Sequence, residues 1–159
     1  MNDIFIRKAT PEDLTMLLEF EQGIITAERP FDPTLDKDPI SYYDLRELIS
    51  SDKAEVIVAE CELQIIGCGY AMVKKAKSFL DHAEYSYLGF MYAHPDFRGK
   101  GINSKILEVL KEWSLERGLT EIRLTVYPEN LPAVKAYEKY GFKKHLLEMR
   151  LPRTTDDFH

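Results

Sequence analysis

Cysteine and long apolar runs are scarce in this chain of 159 residues. Its two cysteines, Cys61 and Cys68, are too few for a disulfide framework, so we expect a protein of the reducing cytoplasm. The longest nearly apolar stretch runs from Ile65 to Val73, far short of the roughly 20 residues that span a bilayer. The first residues contain no apolar region of signal-peptide length. We therefore predict a cytoplasmic protein without a membrane partner.

A basic excess is also lacking, since the formal net charge is −6. Binding to nucleic acid needs clustered Lys and Arg that neutralise phosphates, so no nucleic-acid partner is expected. The charges are unevenly distributed: Glu19 to Glu47 holds eight acids against three bases, whereas Arg98 to Arg150 holds eleven bases against seven acids. This asymmetry favours oppositely charged ligands at the two regions, although solvated helix faces would also explain it.

Repeats, low-complexity tracts and Ser/Gly-rich linkers are absent as well. Their absence indicates one domain, residues 1–153, followed by a loose C-terminal tail, residues 154–159. Hydrophobic periodicity, caps and turn residues predict its elements. Strands are expected over Ile4–Arg7, Ala54–Glu60, Ile65–Lys74, Glu84–Ala93, Glu121–Tyr127 and Phe142–Leu151, and helices after Asp13, over Tyr42–Ile49, over Ile102–Arg117 and from Asn130 to Lys139. This order is typical of a mixed α/β domain of the α+β type.

A glycine-containing loop lies between the predicted strand Glu84–Ala93 and the most regular predicted helix. The segment from Asp96 to Asn103, which we call the glycine loop, reads Asp-Phe-Arg-Gly-Lys-Gly-Ile-Asn. Backbone N–H groups converge at the positive end of a helix, and glycines let a ligand approach the backbone closely. The loop lacks both the Walker A pattern and the third glycine of a dinucleotide fingerprint. It predicts an anion-binding site, with a flexible turn and solvated basic side chains as the alternative.

A second motif lies C-terminal to the glycine loop. It reads Asn130-x-x-Ala133-x-x-x-Tyr137-x-x-x-Gly141-Phe142. Together with the preceding His94-Pro95 and the glycine loop, it resembles the GNAT superfamily of acyl-CoA-dependent N-acetyltransferases, over about residues 84 to 142. The resemblance implies acetyl-CoA as cofactor and a single-domain fold with a central, mixed, mostly antiparallel twisted sheet flanked by helices on both faces. The chain departs from the superfamily pattern at Asn103, where Gly or Ala is usual, and at Asp96, where Gln or Arg is frequent.

The same resemblance implies how coenzyme A would be held. The backbone amides from Arg98 to Ser104 would bind its diphosphate, while Met91 to Ala93 would pair with the pantetheine arm as an added strand does. One of these strand amides would act as an oxyanion-hole donor to the thioester carbonyl. The implied cofactor-binding residues are Met91, Tyr92, Ala93, Arg98, Gly99, Lys100, Gly101, Ile102, Asn103, Ser104 and Asn130.

Two polar residues of the second motif have both a functional and a structural interpretation. By the resemblance, Tyr137 is the general acid that donates a proton to the departing CoA thiolate. Alternatively, Tyr137 is a half-buried helix aromatic that packs beside Tyr140. Asn130 would contact the pantetheine, but N-capping of the last helix would also explain it.

By the resemblance, the acceptor site would lie against the first two helices and their connection. That region is Glu19 to Glu47, which we call the acidic segment. The acceptor would be a primary amine of a small molecule or a peptide, and the acidic segment favours a cationic one. An ammonium must lose a proton before it can attack, but the sequence leaves the base open among Glu21, Glu28, Glu84, Tyr87 and a chain of waters. The expected substrate-binding residues are Glu28, Phe31, Tyr42, Tyr43 and Glu84.

Covalent and metal chemistry have little support in the sequence. Cys61 and Cys68 lack an activating histidine or motif, so we expect small buried hydrophobic side chains. His82 and His94 lack the spacing of metal ligands, so no metal is expected.

Two other functions remain open at this stage. A non-catalytic acyl-CoA-binding sensor or regulatory module would bind the cofactor without turnover, and a nucleotide-binding protein would bind ATP or NAD but not CoA. Dimerisation is common in the superfamily, so the resemblance allows a homodimer.

Overall fold

The computed structural model describes residues 3–153, so the tail expected at residues 154–159 lies outside the described residues. One sheet of five strands forms its centre, in the order β1-β2-β3-β4-β5. The strands are β1 (Ile4–Lys8), β2 (Ala54–Cys61), β3 (Gln64–Lys75), β4 (Glu84–Ala93) and β5 (Ile122–Arg123), and the helices are α1 (Leu14–Glu28), α2 (Leu45–Ser50), α3 (Ile102–Glu116) and α4 (Leu131–Tyr140).

The sheet is mostly antiparallel. β1 to β4 pair with their neighbours in antiparallel fashion, and β5 alone joins β4 in parallel. The predicted mixed α/β class and the mostly antiparallel sheet are therefore confirmed. The parallel pair is short, since only Ser86 and Tyr87 of β4 have partners on β5. This short pairing leaves the rest of β4 without a strand on that side.

Helices cover both faces of the sheet because strand residues alternate between two cores. Val56 and Val58 lie in the core that Leu17 and Phe20 of α1 join. Ile57 and Ala59, on the opposite face, belong to the core beneath α3 and α4. The expected arrangement of helices on both faces is confirmed.

An ion pair fixes the beginning of α1 on β1. Asp13, which is 6% exposed, accepts two hydrogen bonds from the Arg7 guanidinium at 2.8 and 3.0 Å. It also accepts one from the backbone N–H of Thr10 at 2.8 Å. The chain turns through a short 3₁₀ segment at Pro11–Asp13 before α1 begins at Leu14.

Two predicted strands differ in the structure. The strand expected over Glu121–Tyr127 pairs only at Ile122–Arg123, because the chain then leaves β4. The strand expected over Phe142–Leu151 is wrong: residues 142–151 form no regular element, and all but Phe142 are exposed. Leu147, Met149 and Leu151 do alternate with charged residues, but no strand pairs with this segment among residues 3–153, and the three side chains stay exposed.

The second helix begins later than expected. Residues 42–44 precede it, and Asp44 forms its N-cap by accepting a hydrogen bond from the Glu47 N–H at 3.2 Å. Within residues 3–153, the helices are too short and too polar for any of them to reach across a bilayer.

Candidate active site

The glycine loop ends at the N-terminus of α3. Gly99 and Gly101 adopt φ values of 79° and 77°, a left-handed conformation that costs other L-residues roughly 1–2 kcal/mol. Gly101 is the N-cap of α3, and space around both α-carbons is open to 4 Å. The first N–H groups of a helix have no partner within the helix. The loop therefore presents free backbone donors next to an open surface.

The basic side chains of the loop lie along its surface. The Arg98 guanidinium donates from Nε to the Ala93 carbonyl at 3.1 Å and lies 5.6 Å from the Tyr92 ring centroid. Lys100 Nζ lies 5.2 Å from the Phe97 ring centroid. Both side chains are exposed, so they leave positive charge beside the free donors.

Asn103 adds an unsatisfied polar atom in the first turn of α3. Its Oδ1 is buried and has no hydrogen-bond partner among the described residues. Buried polar atoms are almost always paired, so this atom indicates a missing partner at the loop. The open glycines and the free helix donors fit an anionic cofactor, whereas the Asn103 oxygen accepts hydrogen bonds and needs a donor.

A β-bulge changes which amides β4 exposes. Opposite the single residue Gly69 of β3, β4 carries two residues, Phe90 and Met91, and Phe90 has a φ of 57°. Before the bulge, the Ser86 N–H points toward β5 and donates to Glu121 O at 2.9 Å. After it, the His94 N–H points the other way and donates to Ile66 O of β3 at 2.7 Å. The additional residue therefore reverses the alternation along β4.

This reversal decides which of the predicted strand residues face the open edge. Since N–H directions alternate along a strand, the amides of Met91 and Ala93 point away from β3, whereas that of Tyr92 points toward Cys68 on β3. No β5 residue pairs with β4 beyond Tyr87. Met91 and Ala93 thus offer backbone N–H groups on the edge that leads to the glycine loop, while the Ala93 carbonyl already accepts from Arg98.

Tyr92 has a different place from its two neighbours. Its ring packs on Phe20 of α1 with a centroid distance of 4.8 Å. A Cβ on Gly23 would lie 2.8 Å from the Tyr92 hydroxyl, so the absence of a side chain at Gly23 lets α1 approach β4. Tyr92 therefore positions α1 rather than offering its backbone to a ligand.

Tyrosines from five parts of the chain gather where α1 ends. Tyr43 contacts both Tyr42 and Tyr70 edge-on, with ring centroids 5.7 and 5.3 Å apart. Electrostatic interactions connect Glu28 with four of the hydroxyls and with Asp32. We call this group the tyrosine cluster; it comprises Tyr42, Tyr43, Tyr70, Tyr87, Tyr127 and Tyr137, together with Glu28 and Asp32.

Tyr137 lies in the tyrosine cluster and not only in the hydrophobic core. It is half-buried on α4, and its ring meets Phe142 at 5.8 Å. Burial raises the pKa of Tyr137 to about 12, and the charge of Glu28 and the nearby Tyr87 act in the same direction. The hydroxyl is therefore protonated near neutral pH and can donate a proton.

Three carboxylates of the first helix and its connection have distinct environments. Glu21 is 1% exposed and accepts the backbone N–H groups of Tyr42 and Tyr43 at 2.8 Å each. Burial would raise the pKa of Asp32, but hydrogen bonds from Thr34 and Tyr127 outweigh it and lower that pKa. Burial raises the pKa of Glu28, Tyr42 opposes that shift, and Asp32 adds to it.

A hydrogen bond joins the two sides of the tyrosine cluster. Tyr127 donates to Asp32 Oδ2 at 2.6 Å, and its ring stacks on Phe31 at 6.0 Å. Tyr87 and Thr125 share a second hydrogen bond at 2.6 Å. These contacts attach the α1–α2 connection and β4 to the chain after β5.

The structure brings most of the expected acceptor residues together. Glu28, Phe31, Tyr42 and Tyr43 all lie at the tyrosine cluster or against it. Glu84 does not: it lies exposed at the beginning of β4, about 10 Å of strand before Tyr87. Asn130 occupies the N-cap of α4 but makes no capping hydrogen bond through its side chain.

Sequence reasoning missed Asp32, Tyr70 and Tyr127 as members of this site. Their convergence depends on long-range packing, and the sequence signal was limited to the acidic, proline-containing connection and to Tyr127 in an alternating segment. The cysteines match expectation, since both are free and buried. Burial raises the pKa of the Cys68 thiol, which disfavours a nucleophilic thiolate.

Comparisons with known proteins agree with this geometry. A model of the acetyltransferase (GNAT) family matches residues 22–142. An aminoglycoside N(6')-acetyltransferase type 1 of Stenotrophomonas maltophilia is 24% identical over 152 residues, which cover 92% of each protein. Thialysine N-epsilon-acetyltransferase of Sus scrofa is 40% identical over 55 residues, or 35% of this chain and 32% of that protein. The match to the thialysine enzymes thus spans about a third of their length.

A solved structure shares the fold over nearly the whole chain. It is a predicted acetyltransferase from Clostridium acetobutylicum crystallised with acetyl-CoA, with a TM-score of 0.72 and 20% identity, and the match covers 94% of this chain and 96% of that one. With the family model matching well over half of the sequence, the chain belongs to the acetyltransferase (GNAT) family.

Proposed function

We propose that this protein transfers an acetyl group directly from acetyl-CoA to a primary amine of a small molecule or a peptide. The observation that carries the proposal is the open edge of β4, which runs from the glycine loop toward the tyrosine cluster. The bulge at Phe90 and Met91 gives that edge free amides. The open edge of β4 thus connects two groups of residues. The glycine loop at one end can bind an anion, and the tyrosine cluster at the other can exchange protons.

The residues at the two ends of this edge have separate tasks in holding the cofactor. Acetyl-CoA supplies the acetyl group as a thioester when it is bound. The free N–H groups of the glycine loop and the first turn of α3 bind the diphosphate, and Arg98 and Lys100 add positive charge. The backbone groups of Met91 and Ala93 hold the extended pantetheine arm as an adjacent strand would.

Two groups stabilise the charges that develop during transfer. The Met91 N–H, which lies at the bulge, donates to the thioester oxygen as it becomes negative; losing such a donor costs about 3–4 kcal/mol in other enzymes. Tyr137, protonated because its pKa is about 12, donates a proton to the departing sulfur. These roles assign the oxyanion contact to β4 and the acid to α4.

A cationic amine fits the tyrosine cluster. Glu28 and Asp32 supply negative charge, and the surrounding tyrosine rings can face an ammonium group. The names of two relatives point the same way, since thialysine and aminoglycosides both carry amines. We therefore place the acceptor between the end of α1 and the chain after β5.

The proposal is tested by measuring thiol release from acetyl-CoA with 1,4-diaminobutane, thialysine, neamine and a lysine-containing peptide. We expect amine-dependent release of CoA together with a product whose mass is increased by one acetyl group. If CoA binds tightly while none of these amines yields product, the protein is a sensor of acyl-CoA rather than an enzyme.

A further inference from the structure

We propose that Glu28 is the general base that takes a proton from the acceptor ammonium. This role rests on the proposed function, because it concerns the amine side of the same transfer. Glu28 is the last residue of α1, and its half-buried carboxylate lies in the tyrosine cluster. It therefore lies among the side chains beside which we place the acceptor.

Contacts on both sides hold α1 and its final carboxylate in place. Gly23 lets the helix lie directly against Tyr92 of β4. One and a half helical turns further on, Glu28 reaches Tyr42, whose buried hydroxyl faces it without forming a well-shaped hydrogen bond. The Asp32–Tyr127 hydrogen bond ties the chain after β5 to the α1–α2 connection beside it. The packing of α1 thus fixes the position of Glu28. Its carboxylate oxygens can still accept a hydrogen bond or a proton.

The other groups that the sequence left open are unsuited to the role. Glu21 is buried and already binds two backbone N–H groups. Glu84 is exposed at the far end of β4. Tyr87 shares its hydroxyl hydrogen bond with Thr125.

Asp32, which the sequence did not suggest, is also a weak base. Its hydrogen bonds from Thr34 and Tyr127 keep its pKa low, and a low pKa makes proton acceptance from an ammonium less favourable. Asp32 instead remains negative beside Glu28 and increases the proton affinity of its neighbour.

The surroundings of Glu28 favour proton uptake. Burial raises the pKa of its carboxyl group, and the negative charge of Asp32 adds to that effect. A base works best when its pKa lies near the working pH, so a raised pKa favours this role over that of an ordinary surface glutamate. The titratable and charged groups around it are Arg29, Asp32, Tyr42, Tyr43, Tyr127 and Tyr137.

The acceptor nitrogen loses two protons during the transfer. The ammonium gives one proton to the Glu28 carboxylate, and the nitrogen lone pair then forms the C–N bond at the thioester carbon. The C–S bond breaks, and the sulfur takes a proton from Tyr137. The second proton that the nitrogen loses restores Tyr137, and the proton on Glu28 passes to solvent. One ammonium and one thioester thus give one amide, one thiol and one free proton.

The test compares the pH dependence of kcat/KM in the wild type, Glu28→Gln and Glu116→Gln, with the fastest amine of the panel. Glu116→Gln removes the same charge from the exposed end of α3 and is the matched control. At pH 7 we expect Glu28→Gln to lower kcat/KM by about 10²- to 10⁴-fold, the usual contribution of a general base. The control should keep the wild-type rate.

The shape of the profile separates a base from a structural residue. Without the base only free amine reacts, so kcat/KM of Glu28→Gln should rise about tenfold per pH unit toward the amine pKa near 10. The wild type should be nearly level from pH 7 to 9. Glu28→Asp, which keeps a carboxylate, should retain the level profile at a reduced rate, and it provides the test if Glu28→Gln fails to fold.

Three results would overturn the assignment. A loss in Glu28→Gln that is equal at every pH would mean that Glu28 only supports the structure, and an unchanged rate would mean that it has no role. A rising profile in Glu28→Asp like that expected of Glu28→Gln would show that the carboxylate is not the base. If the wild type acetylates no amine at all, the proposed function fails together with this role; if only the Glu28 variants disagree, the function stands without it.

Discussion

Tyr137 shows how the structure adds to a motif at the scale of one residue. The family resemblance of its motif implied an acid, and packing beside Tyr140 was the alternative. In the structure its hydroxyl lies within the electrostatic influence of Glu28 and Tyr87. These neighbours and burial favour the protonated form of the hydroxyl.

Replacing Tyr137 by Phe should lower kcat by about 10²-fold, within the usual contribution of a general acid. The affinity for CoA should stay within about twofold, because the ring and its packing on Phe142 remain. Stopped-time thiol assays and calorimetric titration with CoA measure the two quantities. Since the pKa of Tyr137 is about 12, its ionisation should produce no fall in kcat below about pH 11.

Tyr140→Phe is the matched control for this prediction. Tyr140 lies three residues further along α4 and donates to Glu108 at 2.5 Å. Its loss should leave kcat unchanged. Equal losses of kcat in both variants would contradict the role of Tyr137 as the acid.

Asp13 gives a prediction for stability. Hydrogen bonds from Arg7 lower the pKa of Asp13 more than burial raises it, and the Thr10 N–H adds to the lowering. Asp13→Asn should reduce the free energy of unfolding by about 2 kcal/mol at pH 7, since it leaves Arg7 without its main partner. Urea unfolding followed by circular dichroism measures the difference.

The effect of Asp13 should depend on pH with a defined sign. A carboxylate whose pKa is lower in the folded state stabilises the fold above its unfolded pKa of about 4. That stabilisation is lost as the pH falls through the lower, folded pKa. The difference between wild type and Asp13→Asn should therefore shrink below pH 4, while the exposed neighbour Glu12→Gln should show little effect at pH 7. A difference that stays constant down to pH 2 would contradict this explanation.

At the scale of elements, the sequence predicted α3 and β4 closely because their patterns are local. Ile102, Ile106 and Leu110 recur at helical spacing, and the structure buries all three. β4 was predicted over the residues that it occupies, Glu84–Ala93. The bulge within it could not be predicted, because Phe90 adopts its positive φ without the glycine that usually marks such a position.

The glycine loop gives a prediction with an internal control. Gly101 and Gly118 lie near opposite ends of α3, with φ values of 77° and 76° and open space around each α-carbon. Gly101→Ala and Gly118→Ala should each lower stability by about 1 kcal/mol through backbone strain. Only Gly101→Ala should also weaken CoA binding, by about tenfold, because it changes the direction of the N–H groups that bind the diphosphate.

Thermal unfolding and calorimetric titration with CoA measure these two effects. Because both variants carry the same strain, a difference in CoA affinity between them reports on the loop alone. Equal CoA affinities in the two variants would mean that the loop does not bind the diphosphate.

At the scale of the whole molecule, the fold brings the basic glycine loop and part of the acidic segment to different ends of β4. The basic half provides the glycine loop, and the acidic segment provides Glu28 and Asp32. The sequence showed the uneven distribution of charge but not which residues would come together. The tyrosine cluster joins residues from Glu28 to Tyr137, which only tertiary packing brings close. Glu84 lies at the beginning of β4, outside the tyrosine cluster, because a position along a strand does not tell which part of the strand lies near other elements.

The negative charge of the acidic segment should attract a cationic acceptor to the tyrosine cluster, and salt should weaken this attraction. Between 20 and 300 mM NaCl we expect kcat/KM for 1,4-diaminobutane to fall about fivefold, but that for butylamine to fall less than about twofold, because the diamine carries two positive charges. Initial rates at saturating acetyl-CoA measure both. Equal salt dependence for the two amines would contradict attraction by the acidic segment.

The most direct measurement is a crystal structure of the protein with acetyl-CoA. We expect the diphosphate within hydrogen-bonding distance of the N–H groups between Arg98 and Ser104, the pantetheine arm paired with the backbone of Met91 and Ala93, and the thioester between Met91 and Tyr137. A coenzyme bound at another surface, or a diphosphate at the loop with the pantetheine arm directed away from the β4 edge, would contradict the account.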